Sequence, residues 1–199
     1  MESYIRQASK LLEEGKLVSF PTETVFALAA NAQDEKALES IFKVKGRENK
    51  KPLALLVENT NQAKKYVKLN KNALLIMQEL CPGPISLVLP MADDCNLPKI
   101  INGGINTLSV RIPDHKTALA ILNEVNCPIV ATSANISGKP DALSAKEVED
   151  YFGNKIDYII EGEGCSGEAS TVVDLCGEYP KILRQGKITM DDILKIIEK

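Results

Sequence analysis

Four groups of polar residues follow directly after apolar segments, and these are the places where the chain could do chemistry. The first is Pro21-Thr22-Glu23-Thr24, whose two hydroxyls and one carboxylate could bind a small polar ligand beside a helix start, or could simply cap that helix. Another runs from Thr132 to Gly138 and suits either the close approach of a ligand or an ordinary turn. Because ligands of α/β proteins gather where strands end, both groups are candidate binding sites.

Five cations lie around a predicted helix end and the loop after it, at Lys43, Lys45, Arg47, Lys50 and Lys51. Arginine offers a bidentate fork and lysine a point charge, so such a group could hold the oxygens of a polyphosphate. Cations at the C-terminus of a helix also interact favourably with its dipole. Taken alone, the group is explained more simply as an exposed helix end.

The last polar group is Ser170-Thr171-Val172-Val173-Asp174, followed by Leu183-Arg184. By itself it is typical of an edge hairpin with an exposed arginine. No G-x-x-x-x-G-K-[ST] sequence is present, and no G-x-G-x-x-G sequence opens a helix after a strand. Any phosphate site would therefore not be of the P-loop kind, and a dinucleotide cofactor has no support.

The composition favours one domain with a substantial core. The chain has 199 residues, of which 44% are hydrophobic and 26% charged. Its formal net charge of -3 argues against a protein that binds nucleic acid over its whole surface. Five cysteines form no C-x-x-C pair, and there is one histidine, so we expect reduced thiols and no protein metal site.

Neither a signal peptide nor a membrane span is indicated. Charged residues stand at the start of the chain where a signal peptide needs an apolar stretch. The most apolar long segment, residues 72–92, contains Glu79 and three prolines. We therefore expect a soluble cytoplasmic protein that does not contact membranes.

The elements that must position these groups alternate between helices and strands. Apolar periodicity, caps and glycine stops predict helices over residues 3–14, 34–46, 70–80, 115–125, 189–198 and from Ser144 onward. Short apolar or alternating runs predict strands over residues 17–20, 53–57, 85–89, 107–112, 129–132, 156–160, 171–175 and 181–183. This order predicts an α/β fold, with helices on both faces of a mixed sheet.

In this order, the motifs resemble those of the YrdC family of threonylcarbamoyl-AMP synthases. The resemblance covers nearly the whole chain. It is carried by Ser19 to Phe26, Lys45-Gly46-Arg47, Lys51-Pro52-Leu53, Pro82-Gly83-Pro84, Ser109 to His115, Ser133 to Gly138, and Ser170 to Asp174 with Arg184. It implies a single YrdC-like domain over residues 1–199 with a mixed, twisted sheet. The end of the chain at Lys199 resembles the short form, without the extra C-terminal domain of some relatives.

The resemblance also implies a reaction. Threonylcarbamoyl-AMP would be made from ATP, L-threonine and bicarbonate, with Mg²⁺ accompanying ATP and pyrophosphate released. A separate transferase complex would then pass the threonylcarbamoyl group to tRNA, which this chain need not touch itself.

Site residues follow from the matched motifs. Lys45 and Arg47 would supply the electrostatic catalysis. Thr24, Arg111 and Ser170 would hold L-threonine, with Arg111 as the partner of its carboxylate. The expected ATP-binding residues are Lys45, Arg47, Lys51, Thr107, Ser133, Asn135 and Arg184.

The chain departs from the family pattern at several positions. Ala27 and Ala29 replace glycines; they are favourable in a helix but strained if either position needs a positive φ. Leu56 stands where many relatives have a histidine near the threonine, and Leu143 replaces a small polar residue.

Two other functions remain open on the sequence. A hydrolase would have to use His115, the only histidine, although Asp114-His115 at a helix start is better explained by capping and packing. The second alternative is a non-catalytic module that binds double-stranded RNA or tRNA. The acidic net charge and the aromatic content of 5% argue against this function.

Overall fold

The computed structural model describes residues 2–47, 51–162 and 165–198. Its helices are α1 (Ser3–Glu13), α2 (Glu35–Lys45), α3 (Thr60–Ala63), α4 (Lys71–Leu80), α5 (Lys116–Glu124), α6 (Ala145–Phe152) and α7 (Met190–Ile197), with 3₁₀ turns at Lys99–Ile101 and Gly153–Lys155. Its strands are β1 (Val18–Phe20), β2 (Ala27–Asn31), β3 (Ala54–Leu56), β4 (Ile85–Pro90), β5 (Thr107–Arg111), β6 (Ile129–Ser133), β7 (Tyr158–Ile159), β8 (Thr171–Asp174) and β9 (Lys181–Arg184).

The strands form one mixed sheet in the order β7-β1-β2-β6-β3-β5-β4-β8-β9. The pairs β1–β7, β3–β5 and β4–β8 are parallel, and the remaining neighbours are antiparallel. The prediction of a mixed sheet is confirmed. The short connection before β9 makes an antiparallel hairpin with β8, as expected.

Two apolar cores lie against opposite faces of the sheet. Alternate residues of a strand point to opposite faces, so Leu28 packs in the larger core and Ala29 in the smaller. Helices α1 and α5 contribute to the smaller core, while α2, α4, α6 and α7 contribute to the larger. The prediction of helices on both faces is confirmed.

The helix ends follow capping chemistry, with two differences from expectation. The Asp34 side chain accepts from two amides at the start of α2, and Gly46 ends that helix at φ +57°, both as predicted. The cap of α5 is His115 rather than Asp114, since His115 Nδ1 accepts from the amide of Thr117 at 3.2 Å. Before α6, Ser144 accepts from the amide of Glu147, but the Glu147 carboxylate turns to Leu143 N, so the predicted capping box is half formed.

No helix begins at Pro21-Thr22-Glu23-Thr24, so that expectation is wrong. The segment joins β1 to β2 in an antiparallel hairpin, and the Thr22 hydroxyl donates to Val25 O at 2.6 Å inside it. The alanine-rich β2 was missed because its first four residues are all buried and show no polar alternation. Among the described residues positive φ occurs only at glycines, so Ala27 and Ala29 are unstrained.

All five cysteines are free thiols, as expected. Within the described residues, no helix combines the length and apolarity that a bilayer span requires.

Gly186 follows β9 and lies against the backbone where β8 begins. A Cβ atom there would lie 2.6 Å from Thr171 N and 2.7 Å from the carbonyl carbon of Ser170, both of which are backbone atoms that cannot move aside cheaply. We predict that Gly186→Ala lowers the free energy of unfolding by about 1–3 kcal/mol, measured by urea denaturation.

Gly177 in the β8–β9 hairpin is the matched control. A Cβ atom at Gly177 would have one neighbour, Tyr179 O at 3.9 Å, so Gly177→Ala should change the free energy of unfolding little. Equal urea midpoints for the two variants would contradict the close approach at Gly186.

Candidate functional site

A cavity of about 470 Å³ lies over the central strands of the sheet and collects most of the predicted site residues. Its wall is built from the β1–β2 connection, the segment after α2, and strands β3, β4, β5, β6, β8 and β9. Eight of the ten predicted site residues line it: Thr24, Arg47, Lys51, Thr107, Arg111, Ser133, Ser170 and Arg184. Lys45 and Asn135 do not.

One end of the cavity is organised around Arg111, at the end of β5. Its Nη2 atom donates to Glu23 Oε1 at 2.7 Å and to Thr24 Oγ1 at 2.9 Å. The side chains of Arg111 and Glu23 are only 11% and 18% exposed, so their ion pair is largely shielded from water. Thr24 is itself buried and exchanges a hydrogen bond with the Thr22 hydroxyl.

Ser170 lies where β8 begins and is fixed by its neighbours. Arg184 Nε donates to Ser170 O at 3.0 Å, and Arg184 Nη2 donates to the Ser170 hydroxyl at 2.9 Å. The Ser86 hydroxyl lies 3.2 Å from the Ser170 hydroxyl. The hairpin arginine, Arg184, is exposed as the sequence indicated, and it also lies on the cavity wall.

Arg47 lies on the cavity wall, directly after the helix stop at Gly46. Its Nη1 atom donates to Thr132 Oγ1 at 2.8 Å, and its Nη2 atom donates to Pro52 O at 2.9 Å. Burial lowers the pKa of Arg47, and the positive charge of Arg184 lowers it further. An arginine stays protonated at any ordinary pH even so.

Lys45 and Asn135 lie behind this wall and bond to each other. Lys45 Nζ donates to Asn135 O at 2.7 Å, to Asn135 Oδ1 at 2.9 Å and to Ser133 O. The Ser133 hydroxyl donates to Asn135 Oδ1 at 2.7 Å, and Asn135 Nδ2 donates to Lys139 O at 2.7 Å. Of the four K-x-R and S-x-N residues, only Arg47 and Ser133 reach the cavity.

The charge of the wall is strongly positive. Arg47, Lys51, Arg111 and Arg184 line the cavity, whereas Asp141 is the one carboxylate on the described wall. Burial lowers the pKa of Arg184; Asp141 opposes this effect and Arg111 adds to it. The chemistry that such a wall favours is the binding of anions.

The rest of the wall is mainly apolar. Leu53, Leu56 and Val88 contribute, and the rim carries Ile105 and Leu183, two exposed large apolar residues. Leu56 lies beside Arg111 in the β3–β5 register. Apolar walls with a few placed polar groups are typical of sites for small organic ligands.

Sequence reasoning did not select Asp141 or Glu23 as site residues. Glu23 stood inside a motif that was singled out, but nothing in the spacing paired it with Arg111, 88 residues away. Asp141 belongs to none of the motifs. Leu143 is 44% exposed, His115 is not on the cavity wall, and Lys50 lies outside the described residues.

The family model Sua5_yciO_yrdC, described as telomere recombination, matches residues 10–186. The chain belongs to this family. The sequence of the chain is 43% identical over 195 residues to that of the threonylcarbamoyl-AMP synthase of Pyrococcus abyssi. The match covers 97% of the chain and 57% of the Pyrococcus protein. The chain is 36% identical over 195 residues to the protein of the same name from Bacillus subtilis, with 97% and 56% covered.

The Sua5/YciO/YrdC-family chain thus spans little more than half the length of these two curated relatives. Other relatives match end to end: the threonylcarbamoyl-AMP synthase of Vibrio vulnificus is 31% identical over 190 residues, covering 94% of the chain and 100% of that protein.

Solved structures agree on the fold. The crystal structure of Pyrococcus abyssi Sua5 complexed with L-threonine superposes on this chain with a TM-score of 0.94 at 42% sequence identity. The superposition covers 99% of this chain and 58% of the Pyrococcus chain. Escherichia coli YciO superposes with a TM-score of 0.87 at 23% identity, covering 96% and 93% of the two chains, and supports the fold alone.

The shielded ion pair between Glu23 and Arg111 should contribute to the stability of this family member. We predict that Glu23→Gln lowers the free energy of unfolding by about 1–3 kcal/mol, because a charged hydrogen bond is replaced by a neutral one beside a buried guanidinium. Urea denaturation at pH 7 measures the change.

The ion pair between Lys68 and Asp93 provides the control. Its atoms approach to 2.6 Å, but the two side chains are 52% and 91% exposed, so Asp93→Asn should leave the free energy of unfolding nearly unchanged. Equal, small losses in both variants would show that the Glu23–Arg111 pair is no stronger than a surface pair.

Proposed function

We propose that this chain synthesises L-threonylcarbamoyl-AMP from ATP, L-threonine and bicarbonate and releases pyrophosphate, which makes it a nucleotidyltransferase. The observation that carries the proposal is one cavity whose wall combines a charge-compensated arginine with three further cations. Arg111 is paired with Glu23, whereas Arg47, Lys51 and Arg184 have no close carboxylate partner among the described residues. The names of the Pyrococcus, Bacillus and Vibrio relatives support the same reaction.

The Arg111 end suits a small amino acid. Arg111 can hold a carboxylate, while the hydroxyls of Thr24 and Ser170 can orient polar groups of the ligand. Because Glu23 already compensates the charge of Arg111, this end suits a zwitterion better than a multiply charged anion. The solved structure of Pyrococcus Sua5 with L-threonine supports the assignment.

The remaining cations suit a triphosphate. Arg47 is half-buried, and Lys51 and Arg184 are exposed. Each is a donor without an acceptor function of its own, and together they outnumber the single wall carboxylate, Asp141. The apolar part of the wall can hold the base and sugar, with the Thr107 and Ser133 hydroxyls as polar contacts.

The reaction needs two bond-forming steps. The amine nitrogen of threonine bonds to the carbon of bicarbonate, and water leaves, which gives a carbamate. A carbamate oxygen then attacks the α-phosphorus of ATP, and the bond to the β-phosphate oxygen breaks as pyrophosphate departs. The protein contributes alignment of the two reactants and positive charge at the phosphates, chiefly from Arg47.

Mg²⁺ is the expected companion of ATP. In the described residues no group of three or more His, Cys, Asp or Glu side chains could hold a metal ion. On the described cavity wall, Asp141 is the one carboxylate that could act as a ligand. A single protein ligand fits Mg²⁺, because this ion usually keeps water molecules and phosphate oxygens as its other ligands. Bound in this way, the ion would neutralise charge on the phosphate oxygens.

The product would be consumed by a separate transferase complex that modifies tRNA in the cytoplasm. A non-catalytic module for double-stranded RNA or tRNA is the less favoured function, since the positive charge lines a cavity sized for a small molecule. A Ser-His-Asp hydrolase has no support, because His115 caps α5 away from the cavity.

Pyrophosphate release from ATP tests the proposal. Release should require L-threonine and bicarbonate together and should collapse when either is omitted. Arg47→Ala should lower kcat/KM for ATP about 100-fold, the effect of removing one preorganised charged donor. Salt-sensitive RNA binding without any pyrophosphate would favour the RNA-binding module.

Lys43→Ala is the control for that variant. Lys43 lies in the last turn of α2 and is exposed outside the cavity, so its loss also removes one positive charge from this helix end. Its kcat/KM should stay within about twofold of the parent protein. A similar loss in both variants would mean that general charge, and not the position of Arg47, supports the reaction.

A further inference from the structure

We propose that Lys45 is a positioning residue that braces the Ser133–Asn135 segment from behind the cavity wall and does not itself contact ATP. The identity of the nucleotide rests on the function proposed above. The hydrogen bonds from Lys45 to the Ser133–Asn135 segment, which we call the brace, do not depend on that function. The resemblance placed Lys45 beside Arg47 among the ATP-binding and catalytic residues. Its surroundings assign it a different task.

Lys45 is buried in an unusual way for a lysine. It is the last residue of α2, 1% of its surface is exposed, and it ranks among the largest fully buried side chains of the protein. No ion pair joins it to a carboxylate among the described residues. A buried ammonium of this kind is tolerated only where hydrogen bonds replace its lost hydration.

All three N–H groups of the Lys45 ammonium donate hydrogen bonds within the protein. They go to Ser133 O, Asn135 O and Asn135 Oδ1. A lysine ammonium has three donors and no acceptor, so nothing remains for a phosphate oxygen. Reaching a nucleotide would require Lys45 to break these bonds and leave buried carbonyls without partners.

The backbone of Lys45 holds the same segment. Its carbonyl accepts a hydrogen bond from Ser137 N at 2.9 Å. Lys45 therefore bonds to Ser133 before Asn135 and to Ser137 after it. The Ser133 hydroxyl in turn donates to Asn135 Oδ1, and Arg47 donates to Thr132 Oγ1. The brace therefore fixes two groups that face the cavity, the Ser133 hydroxyl and the Arg47 guanidinium.

Protonation of Lys45 decides how many bonds the brace can make. Burial lowers the pKa of Lys45 to about 8; Arg47 lowers it as well, and Asp141 opposes the shift. Below this pH the ammonium supplies three donors. Above it, the neutral amine keeps two N–H groups and turns a lone pair toward one of the three oxygens. The brace thus weakens as the pH rises through 8, and ATP binding should weaken with it.

Lys45→Met tests the proposal, because methionine fills a similar volume and cannot donate. Amide hydrogen exchange of residues 133–138 should speed up about 10-fold or more in the ligand-free variant, while amides of β4 and β5 stay as protected as in the parent. Affinity for MgATP at pH 7, measured by calorimetry, should fall about 10-fold, the effect of losing charged hydrogen bonds. Lys43→Met, on the exposed side of the same helix turn, should change neither quantity.

The pH profile separates positioning from general loosening. In the parent protein the MgATP affinity should drop between pH 7 and 9 with a midpoint near 8. In Lys45→Met the affinity should be low and follow only the titration of ATP itself. If Lys45→Met does not fold, protection of residues 133–138 in the parent should still fall across the same pH range relative to β5.

Three results would overturn the brace. The first is a ligand-free Lys45→Met protein with unchanged exchange at residues 133–138 and lost ATP affinity, which is the behaviour of a direct contact. The second is a loosened loop with unchanged ATP affinity. The third is a MgATP affinity in the parent protein that does not fall as the pH rises above 7. Failure of the parent to bind ATP at all would count against the proposed function, and the exchange comparison would still decide the brace.

Discussion

Crowding of positive charge into one cavity is the constraint on which the rest of the structure depends. The positive charge of Arg184 lowers the pKa of Arg47, and that of Arg111 lowers the pKa of Arg184, yet each arginine must keep a fixed position. The protein holds them largely through neutral oxygens: Thr132 and Pro52 for Arg47, Ser170 for Arg184, and Thr24 for Arg111. Only Arg111 has a close carboxylate partner among the described residues, Glu23. Uncompensated charge is thereby kept available for an anionic ligand.

This arrangement explains why neighbouring residues of one motif do different work. Lys45 closes α2 and faces the protein interior, whereas Arg47, two residues later, faces the cavity. Gly46 stands between them at φ +57°, a conformation that costs an L-residue and turns the chain out of the helix. The same division separates Ser133, on the wall, from Asn135, behind it.

The fold class, most helices and most strands could be predicted from the sequence because periodicity and caps are local. The strand β2 could not, since a central strand buried on both faces loses the alternation that marks a strand, and its alanines favour a helix. Eight of the ten candidate site residues reach the cavity, because the motifs follow strand ends. The inward turn of Lys45 and the pairing of Glu23 with Arg111 depend on contacts distant in sequence, which local patterns do not encode.

Those distant contacts also bear on the order in which the protein is made. Four of the hydrogen bonds of the site join residues 84 to 90 positions apart: Ser86 with Ser170, Arg47 with Thr132, Arg111 with Glu23, and Lys45 with Asn135. Each requires a long loop to close before it yields any stabilisation. The cavity wall also includes residues of β8 and β9, so it is incomplete on a partly synthesised chain that lacks these strands. A ligand that needs the whole wall can therefore be bound only after the sheet is complete.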